Sequence, residues 1–364
     1  MFKTARQIAR NRFFAFIKHV ANIDDTQQLF SNLLAQHNAL PFPKELSGAL
    51  PTPPYTDIGC TLASTPTRLR NDIVIATGRF RSGSTLLWNI LREMPGFTAY
   101  YEPFNERRWF NRSQRGSRVD PTHRNVTNYW AEYDGLNFLD ELYDEAWTRR
   151  HLYMTAETYA PAMQRYIETL IEHAAGRPVL QFNRVDFRLP WLRSRFPHAK
   201  FVHIFRHPRE QWCSNLGDMA RSTPYLTWKK FVGLDHFYLR NWAIDLGRSF
   251  PCLRFEPGDH PYKVYYKIWR LSHAFGSRYA DISFSYEDLT ADPIRVIGDL
   301  LTKLGIDGPV PPYLAKLVQS TQPMKWPIIW TEAGFKDLER EAERDLQDIF
   351  MAAGFRAHNA QNGR

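Results

Sequence analysis

The chain has 364 residues, 43% of them hydrophobic, which is enough for a full core and excludes global disorder. Lys plus Arg number 47 against 38 Asp plus Glu, and the net charge of +9 suits an anionic ligand, an anionic glycan or an acidic membrane surface. Three scattered cysteines (Cys60, Cys213 and Cys252) exclude a disulfide framework and a CxxC metal signature, and no compact Lys/Arg run of the nucleic-acid type is present.

The first 20 residues are basic (Lys3, Arg6, Arg10, Arg12, Lys18) around Phe13-Phe14-Ala15-Phe16-Ile17. That apolar run is too short and too interrupted by charge for a signal peptide. It reads either as an amphipathic helix on an anionic membrane or as a helix packed on the main domain. Residues 1–40 read as helical and peripheral. Residues 41–70, with Pro41, Pro43, Pro51, Pro53, Pro54 and Pro66, read as an extended linker. The main domain is expected over 71–355, followed by a polar tail, 356–364. The cysteines are expected as reduced thiols, and no membrane span or metal site is expected.

The core begins with a strand over 72–77, then a glycine-bounded loop and a helix over 84–93 that keeps Leu87, Ile90, Leu91 and Met94 on one face. Pro95-Gly96 stops it. A short strand over 97–101 ends at Glu102-Pro103. Residues 104–135 are rich in Arg, Asn and Tyr without periodicity. With a helix expected over 136–148, they form an insertion, 104–150, facing substrate or solvent. Within it Arg107, Arg108, Arg112, Arg115 and Arg118 read as greeting an acidic acceptor or as a solvated basic loop. A helix from about 158 to 175 takes Pro161 in its first turn and closes at Gly176. Strands over 178–182, 200–205 and 281–286 then alternate with helices starting near 208 and spanning 261–279, 293–304 and 335–352. The aromatic stretch 255–270 reads as core packing. The alternation predicts an α/β fold, a three-layer P-loop-like domain whose central parallel sheet is flanked by helices.

The loop Gly78-Arg79-Phe80-Arg81-Ser82-Gly83-Ser84-Thr85 matches the phosphate-cradling template GxxxxGK[ST] except that Ser84 stands in place of lysine. Positive charge sits inside the loop instead, at Arg79 and Arg81. In a parallel sheet, ligands bind beyond the C-terminal strand ends. There the later strands deliver Asn183-Arg184, then Arg206, then Tyr286-Glu287-Asp288. A magnesium-dependent kinase needs the loop lysine and a metal-holding carboxylate, for which Asp288 is the candidate. Arginines without that pair favour a singly charged sulfonate.

Arg81-Ser82-Gly83-Ser84-Thr85-Leu86-Leu87 resembles the 5′-phosphosulfate loop of sulfotransferases that use 3′-phosphoadenosine 5′-phosphosulfate (PAPS). The segment from Phe201 to Glu210, followed by Ser214, resembles the 3′-phosphate segment of the same family, in which Arg206 and Ser214 would clasp the phosphate. Tyr286-Glu287-Asp288-Leu289 with Asp292-Pro293 is similar to the family's C-terminal core, and Lys325-Trp326 to a late nucleotide contact. The resemblance covers roughly 72–330. It implies Arg81, Ser82, Gly83, Ser84, Thr85, Arg206, Ser214, Tyr286 and Lys325 at the nucleotide. It implies Glu102 as catalytic base, with Glu106 as its understudy, and Arg184 as the cation beside the leaving nucleotide. Members of the cytosolic small-molecule branch use a histidine base, which keeps His123 and His151 open. The expected activity is sulfonate transfer from PAPS, without a metal, to a hydroxyl, first on a carbohydrate or glycolipid. The expected setting is cytoplasmic, with peripheral membrane contact through residues 1–20 open. Two alternatives stand: an ATP/Mg²⁺-dependent kinase, and a non-catalytic nucleotide-fold adaptor at a membrane surface.

Overall fold

The computed structural model describes residues 70–319 and 323–352. The expected helical segment 1–40, the linker up to residue 69, Cys60 and the tail 356–364 lie outside them. The chain divides into two units, 1–68 and 69–364, and the described residues belong to the second.

The apolar run ahead of the glycine loop forms β1 (Val74–Thr77), buried at every residue. β2 (Phe97–Tyr101), β3 (Arg177–Phe182), β4 (Lys200–Phe205) and β5 (Ile282–Ser285) complete one sheet in the order β2-β3-β1-β4-β5. All of its pairings are parallel. Parallel strands need covering on both faces, which explains their continuous β-branched and aromatic composition. Thr77 lies beside Phe182 on one side and His203 on the other. The loops leaving β1, β3 and β4 therefore emerge together, and the strand order reverses across β1. That is the crevice where such sheets place ligands.

The helices are α1 (Ser84–Arg92), α2 (Pro161–Glu172), α3 (Leu189–Arg195), α4 (Pro208–Leu216), α5 (Trp228–Phe231) and α6 (Leu239–Leu246). They continue as α7 (Pro261–Tyr279), α8 (Tyr286–Ala291), α9 (Pro293–Lys303), α10 (Pro312–Leu317), α11 (Trp326–Ile329) and α12 (Glu332–Ala352). Proline opens α2, α4, α7 and α9, where its missing N–H costs nothing. The long helices α7 and α12 pair through charge. The Tyr266 hydroxyl donates to Glu343 (2.8 Å), the Arg270 guanidinium contacts the same carboxylate (2.5 Å), and Lys267 reaches Asp345 (2.5 Å). Tyr262, Tyr265 and Tyr266 are core residues of this packing.

The helix expected over 136–148 is instead a pair of 3-10 turns, Asn137–Glu141 and Glu145–Thr148. Asp144 is extended, and its carboxylate accepts the Ala146 N–H at 2.8 Å, which restarts the chain in a new turn. The spacing of Leu139, Tyr143 and Trp147 looks helical, but their burial is satisfied by these turns. Among the described residues no helix is long and apolar enough to cross a membrane.

Candidate active site

The loop after β1 is shaped by two glycines. A Cβ at Gly78 would stand 2.6 Å from the Ile204 carbonyl of β4, so only glycine lets the strands approach there. Gly83 has φ +94°, and a Cβ on it would meet the Tyr286 ring at 2.5 Å. Gly83 precedes α1 with no side chain capping the helix, which leaves first-turn N–H groups for an anion. Ser82, Ser84 and Thr85 are buried around this turn, and the Ser82 hydroxyl has no partner among the described residues. The main chain is braced from α4, where the Gln211 amide donates to the Phe80 carbonyl at 2.6 Å.

The two loop arginines take different directions. Arg81, itself at φ 64°, donates through Nε to Ser214 Oγ of α4 at 3.0 Å and through Nη1 to Asp120 at 3.4 Å. Arg79 turns inward, 6% exposed, with its guanidinium 4.7 Å from the Trp242 ring. Burial lowers its pKa, countered by Asp186. Asp186 is held by Thr77 (2.6 Å) and Ser272 (2.7 Å). Of the two loop charges, then, only Arg81 is presented at the sheet edge, and Arg79 supports the loop from beneath.

Arg206, at the end of β4, lies with its guanidinium 4.9 Å from the Tyr286 ring and donates to the Arg81 carbonyl at 3.4 Å. Its Nε is buried with no partner among the described residues. Arg206, Ser214, Tyr286 and the 81–85 loop thus converge. Glu210, one turn into α4, pairs with Arg206 at 3.4 Å and accepts the backbone N–H groups of Lys325 and Trp326. That brings Lys325, an exposed residue, beside the same segment through its main chain. Trp326 stacks on His207, with centroids 6.2 Å apart. Glu210 and Gln211 carry no motif of their own, and sequence reasoning did not single them out as site residues.

Asp288, the one carboxylate available to a kinase reading, is used locally. Its N–H donates to Ser285 Oγ at 2.9 Å, and its carboxylate accepts a hydrogen bond from that hydroxyl at 2.6 Å, a cap for α8. Glu287 accepts the His207 N–H at 3.1 Å. No cluster of three or more metal-ligating residues occurs among the described residues.

Glu102 follows β2 at φ 41° and is 7% exposed. Asn183 donates to one carboxylate oxygen at 2.5 Å and Asn105 to the other at 2.5 Å. Arg184 Nη1 stands 3.7 Å away. Burial pushes the Glu102 pKa up, and the Arg184 charge and the Asn105 hydrogen bond oppose the rise without cancelling it. A carboxyl raised in this way is a stronger base than an exposed glutamate.

Arg184 is no surface residue and does not pair with Asp186, the plainest alternative for an arginine at that position. Its side chain is 2% exposed and binds Glu106 at 2.6 Å. Its guanidinium lies 4.9 Å from the ring of Phe80, a loop residue. Glu106 also accepts from the Tyr238 hydroxyl at 2.9 Å. Tyr238 and Asn105 are further candidate-site residues that no motif announced, while Asn183 stands at the strand end where the sequence placed it.

The insertion docks on the loop. Asp120 meets Arg81, and His123 Nε2 lies 3.4 Å from Thr85 Oγ1, while its Nδ1 is 2.6 Å from the Tyr129 hydroxyl. Burial drives His123 down to about 4, so it is neutral near pH 7. His151 is positioned by its backbone N–H, which donates to Asp245 at 3.2 Å. Among the basic residues of the insertion, Arg108 pairs with Asp140 (3.0 Å), and Arg112 and Arg115 pair with Asp134 (3.2 and 3.3 Å). These charges are largely engaged within the insertion.

A sulfotransferase family profile matches residues 73–310, and the chain belongs to that family. Solved structures similar to it include mouse sulfotransferase SULT7A1 complexed with PAP. That match is 14% identical, covers 80% of this chain and 90% of that one, and has a TM-score of 0.39. A sulfotransferase domain from the curacin biosynthetic pathway is 18% identical, with 78% and 97% covered and a TM-score of 0.38. Sulfotransferase STF9 from Mycobacterium avium is 12% identical, with 77% and 76% covered and a TM-score of 0.37. Comparison with curated proteins finds no match.

Proposed function

We propose that the protein transfers a sulfonate from PAPS to an acceptor hydroxyl. The observation that carries this reading is the hydrogen bond between Arg81 and Ser214, 133 residues apart in sequence. It joins the loop that resembles a 5′-phosphosulfate cradle to the Arg206–Ser214 segment that resembles a 3′-phosphate clasp. ATP has no 3′-phosphate for that clasp. The α1 amides, Ser82, Ser84 and Thr85 would hold the 5′-phosphosulfate, with Arg81 at its edge. Arg206 and Ser214 would take the 3′-phosphate, with Tyr286 and the Lys325 segment as walls.

In the transfer, Glu102 accepts the acceptor's proton as the new O–S bond forms, and the sulfur–oxygen bond to the nucleotide phosphate breaks. Arg184, reaching from the carboxylates to Phe80, offsets the negative charge that develops on the departing group. A glutamate base supports placing the acceptor among carbohydrates or glycolipids, as in the branches the sequence resembles. The His123 ring, depressed to about 4 and committed to Tyr129, suits the alternative histidine role poorly. A cytoplasmic setting belongs to the same proposal.

Calorimetric titration with 3′-phosphoadenosine 5′-phosphate (PAP), against ATP plus Mg²⁺, tests the donor. Micromolar PAP binding, about −8 kcal/mol, with little ATP binding is expected. Preference for ATP, or binding of neither, would overturn the assignment.

A further inference from the structure

Arg184 stands between two carboxylates and is bonded to Glu106 rather than to Glu102. Its Nη2 sits 2.6 Å from Glu106, whereas its Nη1 is held off Glu102 at 3.7 Å. Nη1 donates instead to the side-chain Oδ1 of Asn183 at 3.3 Å. Glu106 does not act alone. The Tyr238 hydroxyl donates to its other oxygen at 2.9 Å, and Tyr238 adopts φ 61°, a left-handed conformation that a bulky side chain rarely takes. The Arg149 guanidinium lies 5.4 Å from the Tyr238 ring and braces it from behind. A strained backbone that delivers a hydroxyl to a carboxylate at a reaction centre is a constraint the fold maintains.

We propose that Glu106, held by Tyr238, is a positioning residue that draws Arg184 away from Glu102 and so keeps Glu102 free to accept a proton. The proposal rests on reading Glu102 as the base. Were Arg184 released from Glu106, only the 3.3 Å contact with Asn183 and the Phe80 ring would oppose its guanidinium closing on Glu102 as a tight, nearly dry ion pair. A carboxylate so paired is a weak base. Glu106 is therefore no spare base, since the Arg184 guanidinium lies 2.6 Å from it, whereas the groups bonded to the Glu102 oxygens are neutral amides.

The surrounding charges do not replace it. Arg188, next to Arg184, is fixed by the carbonyls of His151 (3.0 Å), Trp147 (2.9 Å) and Arg150 (2.8 Å). Arg108 is bound to Asp140 (3.0 Å) and Glu145 (3.7 Å), its guanidinium 5.2 Å from the Tyr143 ring. Arg107 rides over Trp109. The remaining titratable neighbours facing Glu102 or Arg184 are Tyr101, Tyr129, Tyr133, Tyr143 and Tyr238, phenols that are neutral near pH 7 and that burial moves further from ionising. Glu106 is thus the charge that decides where Arg184 rests.

The test is a titration of the full, ligand-free chain labelled with ¹³C at glutamate side-chain carboxyls and followed by NMR. The Glu102 signal is assigned by its loss in Glu102→Gln. In Glu106→Gln the Glu102 midpoint is expected to fall by about one pH unit, the effect of gaining a close cation and losing a like charge. Tyr238→Phe, which keeps the Glu106 charge and removes only its tether, is expected to lower the midpoint by a smaller amount. A Glu102 midpoint unmoved or raised in Glu106→Gln would overturn the proposal, as would one unmoved in Tyr238→Phe. The reading of Glu102 as base fails separately, if Glu102→Gln still transfers sulfonate from PAPS.

Discussion

The two halves of the proposed site, one for the nucleotide and one for the acceptor, are built from different materials. The nucleotide half is mostly main chain. It has a glycine-bounded turn, the open end of α1, and residues set at fixed spacing on β4 and α4. The acceptor half is a web of side chains. Glu102, Asn105, Glu106, Asn183, Arg184 and Tyr238 come from three separate stretches of irregular backbone and satisfy one another. A donor that is the same in every turnover can be met by backbone geometry, which no side-chain rotation disturbs. A proton acceptor needs a tuned charge, and tuning requires neighbours brought in from several places. The halves touch at Phe80, whose ring lies over Arg184 and whose carbonyl is held by α4.

This division is testable by substitutions that should each injure one half only. The largest effect is expected from Glu102→Gln. The amide keeps the shape but accepts no proton, so turnover should fall by about 10²- to 10⁴-fold. PAP affinity, read by calorimetry, should change less than about threefold, because the nucleotide groups are untouched. Arg206→Ala should do the reverse. Loss of a charged donor to phosphate should weaken PAP about 10- to 100-fold, while turnover at saturating PAPS changes far less. If Glu102→Gln weakened PAP as much as Arg206→Ala does, the halves would not be separable.

The same division governs what was legible in the sequence. β2 and β4 begin and end where their apolar runs do, and α7 runs from Pro261 to Tyr279 as its periodicity and flanking proline require. The Gly78–Thr85 loop could be read because glycines are compulsory there, one for a close strand and one for positive φ. The pairing of Arg206 with Ser214 was legible only through the family resemblance, and in the structure both residues meet Arg81, one at its side chain and one at its carbonyl. Without the resemblance, which singles out Arg81, the spacing alone does not tell it from Arg79, since which of two neighbouring arginines turns inward depends on Asp186 and Trp242, both remote in sequence. Nor could Tyr238 be found, because its importance lies in a contact with Glu106 across 132 positions. The false helix over 136–148 has the same origin: apolar spacing signalled burial, and an Asx turn at Asp144 decided the backbone.

Smaller effects sharpen the boundary of the nucleotide half. Ser214→Ala removes a neutral hydroxyl, and PAP affinity should fall by about 2- to 10-fold, less than for Arg206→Ala. Part of that loss is indirect, since Ser214 also holds Arg81. Binding measured between pH 5.5 and 8 should show no inflection from His123. Burial holds its pKa near 4, so it is neutral throughout that window and would gain charge only well below it.

The smallest effect has the most informative sign. Asp120 brings a carboxylate 3.4 Å from Arg81, with side-chain exposures of 41% and 23%. An ion pair so exposed is worth about 0–1 kcal/mol. Asp120→Asn keeps the oxygen that accepts the Thr122 N–H at 2.8 Å, so the turn survives, but it removes a negative charge from the edge of a site built for phosphates. PAP should therefore bind about two- to fivefold tighter at low salt, with the gain fading as ionic strength rises and the Debye length shortens. Weaker binding would mean that Asp120 serves the site by orienting Arg81 rather than competing for it, and the insertion would then count as part of the nucleotide half.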